Sequence, residues 1–231
     1  MILYEDSSIN KLRLKFNGVE KIKKNYSQAY QDMFVLSMLN GKTNGTFLEI
    51  GAYDPHFVSN TYLLEKEFKW DGISIDIEPS VKRKFEGKRT CKFHLQDALT
   101  IDYDDLLTKH NFPSQIDYLQ LDVEPQKNTL SCLKLMPLNK YRFSVITYET
   151  DFYDTAVTKE ESLRNREESR EILHSHGYEL VVGNVCNVSV DDPFEDWWVD
   201  PNVIPSEIIE KFKESSEYND TSESYMLNNK Q

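Results

Sequence analysis

Cysteine is scarce in this 231-residue chain, which has only Cys91, Cys132 and Cys186. The three are far apart, odd in number and form no CxxC pair, so neither a zinc site nor a disulfide framework is expected, only reduced and mostly buried thiols. Long hydrophobic runs are missing too. No stretch approaches the roughly 18 apolar residues that span a bilayer. No basic region followed by an apolar run and a small-residue cleavage site opens the chain. The expectation is a cytoplasmic protein with no membrane partner. Positive charge is in deficit, with 27 Lys and Arg against 39 Asp and Glu, a formal net charge of −12 and a pI of about 4.9. That balance disfavours a nucleic-acid partner. The chain also lacks GxGxxG and Gly-Lys-Ser/Thr, so neither a dinucleotide nor an ATP site is signalled. No internal repeat is found.

What is present suits one α/β domain with a real core: hydrophobic residues make up 39% and aromatics 12% of the chain. Residues 1–25 are polar and lysine-rich and read as an N-terminal extension. Residues 26–213 read as the domain, and residues 214–231, rich in Ser, Glu and Asn, as a loose tail. Ser27 looks like a helix N-cap, and Tyr30, Phe34, Val35, Met38 and Leu39 follow at helical spacing up to Gly41. Short apolar runs then suit strands at 46–50, 72–77, 91–95, 116–123, 143–148 and 178–183. Capped or amphipathic segments between them suit helices at 59–69, from Ser80, at 103–110, 126–136 and 159–176. Such alternation predicts a Rossmann-like, mostly parallel sheet with helices on both faces. Residues 184–190 and 195–199, joined by Asp191-Asp192-Pro193, suit a closing antiparallel hairpin at the sheet edge.

In an open α/β sheet, ligands sit beyond the carboxyl ends of the strands. The first strand runs into Glu49-Ile50-Gly51-Ala52-Tyr53-Asp54, where a glycine allows close approach and an acid can accept from an ammonium group. The second ends at Glu78, placed to accept from ribose hydroxyls. The third ends at Gln96-Asp97-Ala98, where Asp97 can accept from an adenine amino group. Any one of these acids alone would be a solvated strand end; three in register point to an adenosine ligand without a phosphate cradle.

These residues carry a resemblance. Ser27-Gln28-Ala29-Tyr30-Gln31-Asp32, Phe47-Leu48-Glu49-Ile50-Gly51-Ala52-Tyr53-Asp54, Ser59-Asn60-Thr61, Trp70-Asp71-Gly72-Ile73 and Ile77-Glu78-Pro79 are similar to motifs of the FkbM-type methyltransferases. So is Ile116-Asp117-Tyr118-Leu119-Gln120-Leu121-Asp122-Val123-Glu124. The resemblance covers residues 26–185. It implies a class I methyltransferase fold with S-adenosylmethionine as cofactor, and commonly O-methylation of sugar or natural-product hydroxyls. It adds Gln31, Ser59, Asn60 and Thr61 to the expected cofactor site. Pro55 and Pro125 stand where the family often has glycine, and they stiffen loops beside the expected pocket.

A sugar hydroxyl needs a base or a metal to become a nucleophile. Asp122 and Glu124 end the fourth strand, Glu149 and Asp151 the fifth, and period-two alternation aligns each pair. Asp122, Glu149 and Asp151 are hard oxygen ligands suited to Mg2+ or another divalent cation. The alternative is a metal-free carboxylate group in which one member acts as the base. His56, just after the cofactor loop, is the best-placed histidine base. Trp197 and Trp198 suit either a sugar platform or an edge or homodimer contact. Arg164 and Arg166 suit a solvated helix face or contact with an anionic substrate. The expected partner is a small molecule, a saccharide or nucleotide-sugar. The other readings kept open are an amine, carboxylate or phosphate-type acceptor, and a non-catalytic binding subunit.

Overall fold

A computed structural model describes residue 5 and residues 8–150, 152, 157–187, 189–191, 193–213 and 220–228. Its centre is a seven-stranded sheet of β1 (Thr46–Ile50), β2 (Asp71–Asp76), β3 (Lys92–Leu95), β4 (Gln115–Leu121), β5 (Arg142–Glu149), β6 (Glu179–Cys186) and β7 (Pro193–Val199), in the order β3-β2-β1-β4-β5-β7-β6. The first five strands are parallel, while β7 runs antiparallel to both β5 and β6. The α-helices among the described residues are α1 (Gln31–Met38), α2 (Tyr62–Phe68), α3 (Pro79–Phe85), α4 (Tyr103–Lys109), α5 (Gln126–Leu135), α6 (Lys159–Ser175), α7 (Ser206–Lys213) and α8 (Ser222–Met226).

Strand side chains alternate between faces, and both faces of this sheet are buried. Phe47, Tyr118, Val145 and Trp197 point into one core layer, shared with α1, α2 and the ends of the described chain. Their neighbours Leu48, Leu119, Ile146 and Trp198 point into the other, under α4, α5 and α6. This is the Rossmann-like class that strand–helix alternation predicts. Strand order reverses between β1 and β4, which makes their carboxyl ends the natural place for a ligand.

Four local expectations change. The two strands expected on either side of residues 183–184 are one strand, β6. Asn184 adopts a left-handed conformation (φ 56°) inside it, and its N–H donates to Asp196 Oδ1 at 2.9 Å. Register shifts between Leu180 and Cys186 accommodate the irregularity without ending the strand. The antiparallel hairpin is at the sheet edge as expected, but its outer strand is β6: β7 lies between β5 and β6, which buries both tryptophans. At the chain's beginning, Leu12, Phe16, Val19 and Ile22 are core residues rather than an extension. At its end, residues 214–219 and 229–231 lie outside the described residues, whereas 220–228 is packed and not a loose tail. Tyr225, Met226 and Leu227 are buried, Thr221 bridges to Cys186, and Leu227 bridges to Leu12. Arg13 ties the two ends, donating from Nε to Tyr225 O at 2.7 Å and from NH2 to Ser224 O at 3.0 Å. Each terminal stretch is apolar only at irregular spacing and is buried partly against the other and partly against the domain, Phe16 on Phe68 of α2 and Tyr225 on Trp197 of β7.

Candidate active site

A cavity of about 750 Å3 opens at the carboxyl ends of the parallel strands. Its floor is the turn after β1. Gly51 has φ +85°, and a Cβ on it would lie 1.7 Å from the carbonyl oxygen of Asp122, so only glycine lets the ends of β1 and β4 meet. The N–H groups of Gly51 and Ala52 both donate to Ile75 O, at 3.0 and 3.1 Å. The N–H of Tyr53 donates to Asp76 Oδ2 at 2.9 Å, while Asp76 Oδ1 accepts from Glu78 N at 2.8 Å. Asp76 thus joins the loops after β1 and β2, and with Ile77 it lines the cavity.

Glu78 does not line it. β2 stops at Asp76, and Glu78 is an exposed residue at the start of α3. The strand-end acid in contact with the cavity is Asp76, which sequence reasoning passed over because the apolar run seemed to continue through Ile77. Beyond the end of the strand Ile77 is 59% exposed and lines the cavity. Asp97, Ala98 and Leu99 line the cavity after β3, with Asp97 Oδ1 accepting from Leu99 N at 2.9 Å.

Behind the floor lies a bracing network. Glu49 is buried, and its carboxylate accepts from Thr61 Oγ1 at 2.8 Å and Ser74 Oγ at 2.6 Å. Burial pushes its pKa up, against the opposing pull of the Arg89 charge and the two hydroxyls. Arg89 itself donates to Thr61 Oγ1, Ser59 Oγ and Glu65. Glu49, Ser59 and Thr61 therefore hold the loop, and Glu49 also lines the cavity, as expected; of the Ser59-Asn60-Thr61 triplet it is Asn60 that lines it, with a buried Oδ1 that has no partner. Asp54 also braces. Its Oδ1 accepts from His56 N and Phe57 N, and its Oδ2 from Lys84 Nζ. Burial would raise its pKa, but these donors hold it below the ordinary carboxylate range. The ring of His56 packs edge-on against Tyr26 and Tyr62, at centroid distances of 4.9 and 4.7 Å, and is not part of the cavity wall; Phe57 and Val58 are.

Across the switch point, Asp122, Glu124 and Glu149 line the cavity. Asp122 is anchored by its backbone N–H to Ile50 O at 3.1 Å, and its side chain hydrogen-bonds Glu149. Burial, with the nearby charges of Glu124 and Asp76, pushes the Asp122 pKa up. Two carboxyls that hydrogen-bond each other share a proton, because neither can easily ionise beside the other. Glu195, which faces Glu149 in the β5–β7 register, is a further lining acid. It is fully enclosed, accepts from Trp197 Nε1 at 2.7 Å and hydrogen-bonds Gln31. Burial pushes its pKa up to about 8. Gln31 and Gln120 line the same wall, their Oε1 atoms held by Ala29 N (2.7 Å) and Ile50 N (3.0 Å).

Sequence reasoning brings together Asp122, Glu124 and Glu149 correctly in space, and it misses Glu195. Alternation within Phe194-Glu195-Asp196-Trp197 was the signal, since it puts Glu195 on the face of Trp197. Asp151 lies outside the described residues. Among the described residues no group of three or more His, Cys, Asp or Glu side chains is arranged to hold a metal ion. Trp197 is no sugar platform: it stacks on Phe34 at 4.5 Å, and Trp198 packs edge-on to His174 on the other side of the sheet. Arg166 is largely covered, donating to Asn184 Oδ1 at 2.7 Å and lying 4.2 Å over the Phe152 ring.

No family model matches the chain, and no curated protein does. Among solved structures it is similar to an rRNA methylase from Streptococcus thermophilus, at 12% identity and a TM-score of 0.46 over 73% of this chain and 93% of that one. It is similar to Aeropyrum pernix fibrillarin in complex with natively bound S-adenosyl-L-methionine, at 14% identity and 0.46 over 80% of each. A SAM-dependent methyltransferase from Archaeoglobus fulgidus matches at 17% identity and 0.40 over 81% of this chain and 86% of that one. Likeness at this level says nothing of the chemistry, which has to be argued from the site.

Proposed function

We propose that the chain is an S-adenosylmethionine-dependent methyltransferase of the FkbM type that methylates a hydroxyl of a sugar-like small molecule. The observation that carries the reading is the make-up of the cavity at the β1/β4 switch point. It has room for a nucleoside joined to an amino acid, and acids and amides line its wall. Among the described residues it has neither a lysine or arginine nor a glycine-rich cradle to receive a phosphate. Such a wall suits a nucleoside that is positively charged and unphosphorylated, and it repels NAD or ATP.

S-adenosylmethionine fits that description, and when bound it supplies an electrophilic methyl group on a sulfonium centre. Asp76 is the residue to accept from ribose hydroxyls, and Ile77, Ala98 and Leu99 are the apolar neighbours of the base, with Asp97 accepting from its amino group. Gln31 and Gln120, beside Gly51, face the amino-acid end. The acceptor hydroxyl gives up its proton to the ionised member of the Asp122–Glu149 pair as its oxygen takes the methyl group. Glu195 stays protonated at neutral pH and spares that pair a third negative charge.

Titration calorimetry tests the cofactor. Binding is expected, Asp76→Ala is expected to weaken it roughly tenfold or more, as loss of a charged hydrogen-bond acceptor does, and Glu78→Ala to leave it unchanged. If neither S-adenosylmethionine nor its demethylated product binds, the reading is wrong.

A further inference from the structure

We propose that the acceptor is cationic, an amine-bearing polyol such as an amino sugar, and not a phosphorylated sugar or a nucleotide-sugar. The inference rests on the methyl-transfer reading and concerns what the same cavity admits beside the cofactor. Away from the nucleoside end, the cavity is walled by Asp122, Glu124, Glu149 and Glu195; with Glu195 protonated and a proton shared by Asp122 and Glu149, its negative charges there are Glu124 and one member of that pair. Seven amide side chains add to the polar lining, and two of them present a buried oxygen to it without a partner. Asn60 is nine-tenths buried and its Oδ1 has no partner, and the buried Oδ1 of Asn187 has none either. Carboxylates and amide oxygens alike accept hydrogen bonds, so the ligand that complements them brings N–H or O–H donors.

No Lys, Arg or His lines any part of the cavity among the described residues. The cations nearby are engaged elsewhere. Lys84 is paired with Asp54 and lies over the Tyr53 ring. Arg89 serves Glu65, Thr61, Ser59 and Pro55 O. Arg166 serves Asn184 and the Phe152 ring. A cleft of one charge sign with apolar walls concentrates ligands of the opposite sign and excludes those of its own. The cofactor's positive charge offsets only part of this, and the diphosphate of a nucleotide-sugar would face the remainder without a partner.

The test uses the full chain loaded with S-adenosylhomocysteine, at about pH 6.5 so that an amine is protonated. Glucosamine, glucose and glucose 6-phosphate are titrated in by calorimetry and then offered for methyl transfer from labelled S-adenosylmethionine. Glucosamine is expected to bind at least tenfold more tightly than glucose, with glucose 6-phosphate weaker than both. The amine's advantage should shrink as salt rises, and Glu124→Gln should cut the glucosamine-to-glucose ratio severalfold. Glucosamine binding no tighter than glucose, binding of neither, or a preference for the phosphate overturns the proposal. A chain that binds neither form of the cofactor defeats the methyltransferase reading, whereas a loaded chain without amine preference defeats this inference alone.

Discussion

Gly51 does two jobs with one missing side chain. Its positive φ turns the chain out of β1, and its bare Cα lets the Asp122 carbonyl approach. Gly51→Ala must therefore strain the backbone and push β4 away from β1. A loss of roughly 2–4 kcal/mol is expected, at the upper end of backbone-strain and overpacking costs, and urea denaturation measures it. Glu195 makes a different prediction. Its folded pKa of about 8 lies above its unfolded value near 4.5. The group's contribution is thus fully present below about pH 4.5 and is lost as pH rises towards 8, because the unfolded chain releases a proton that the folded one keeps. Glu195→Gln removes that dependence, so denaturation midpoints measured between pH 5 and 8 should fall less steeply in the variant than in the parent. Asp122 titrates above the ordinary aspartate range as well. Under the proposed mechanism kcat then rises with pH across the titration of the Asp122–Glu149 pair, and Asp122→Asn abolishes turnover while the protein still binds cofactor.

Among the elements, the hairpin of β6 and β7 bears the greatest load. β7 carries two tryptophans into opposite core layers, and α8 closes over one of them: Tyr225 meets Trp197 at 6.2 Å between centroids. Tyr225→Ala opens a cavity against Trp197 and the α1 side of the core, and a loss of about 3–5 kcal/mol is expected, read as a lowered thermal midpoint. The parallel strands were legible in the sequence because each is a short apolar run between capped or polar segments. Thr46–Ile50 is recovered to the residue, and the helix expected at 103–110 starts where expected, behind an Asp102 cap that accepts from Asp105 N at 3.0 Å. The α8 segment was not legible. Its buried residues, Tyr225, Met226 and Leu227, have no period, and what they meet lies well outside any local pattern, Trp197 on β7 and Leu12 at the other end of the described chain. Within the site, strand-end acids were legible as a class. Which acid faces the cavity was only partly so: Glu49 lines it as expected, but β2 ends at Asp76, which exchanges Asp76 for Glu78, and hydrogen bonds turn Asp54 to a bracing task.

For the molecule as a whole, the acidity that reads as a solubility feature has a concentrated component at the cavity. Among the described residues no helix is long and apolar enough to cross a membrane. If the proposed cofactor is right, the cavity's charge acts differently on the two forms of that cofactor. S-adenosylmethionine carries a sulfonium charge that its product lacks. Added salt should therefore weaken S-adenosylmethionine binding more than S-adenosylhomocysteine binding, since screening acts on the extra charge. Calorimetry at two ionic strengths checks this, and equal salt slopes would remove electrostatics from the account of cofactor choice.

The clasp between the two ends of the described chain also sets an order of events during synthesis. Leu12 and Arg13 leave the ribosome early, and the partners that bury and bond them, Leu227, Tyr225 and Ser224, follow more than 200 residues later. Until then Trp197 and Phe34 have no lid from α8, and the nascent chain presents an aromatic face to its surroundings. Closure of this core therefore waits until residue 227 has been made, and a chaperone that recognises exposed aromatics would meet the chain in that interval.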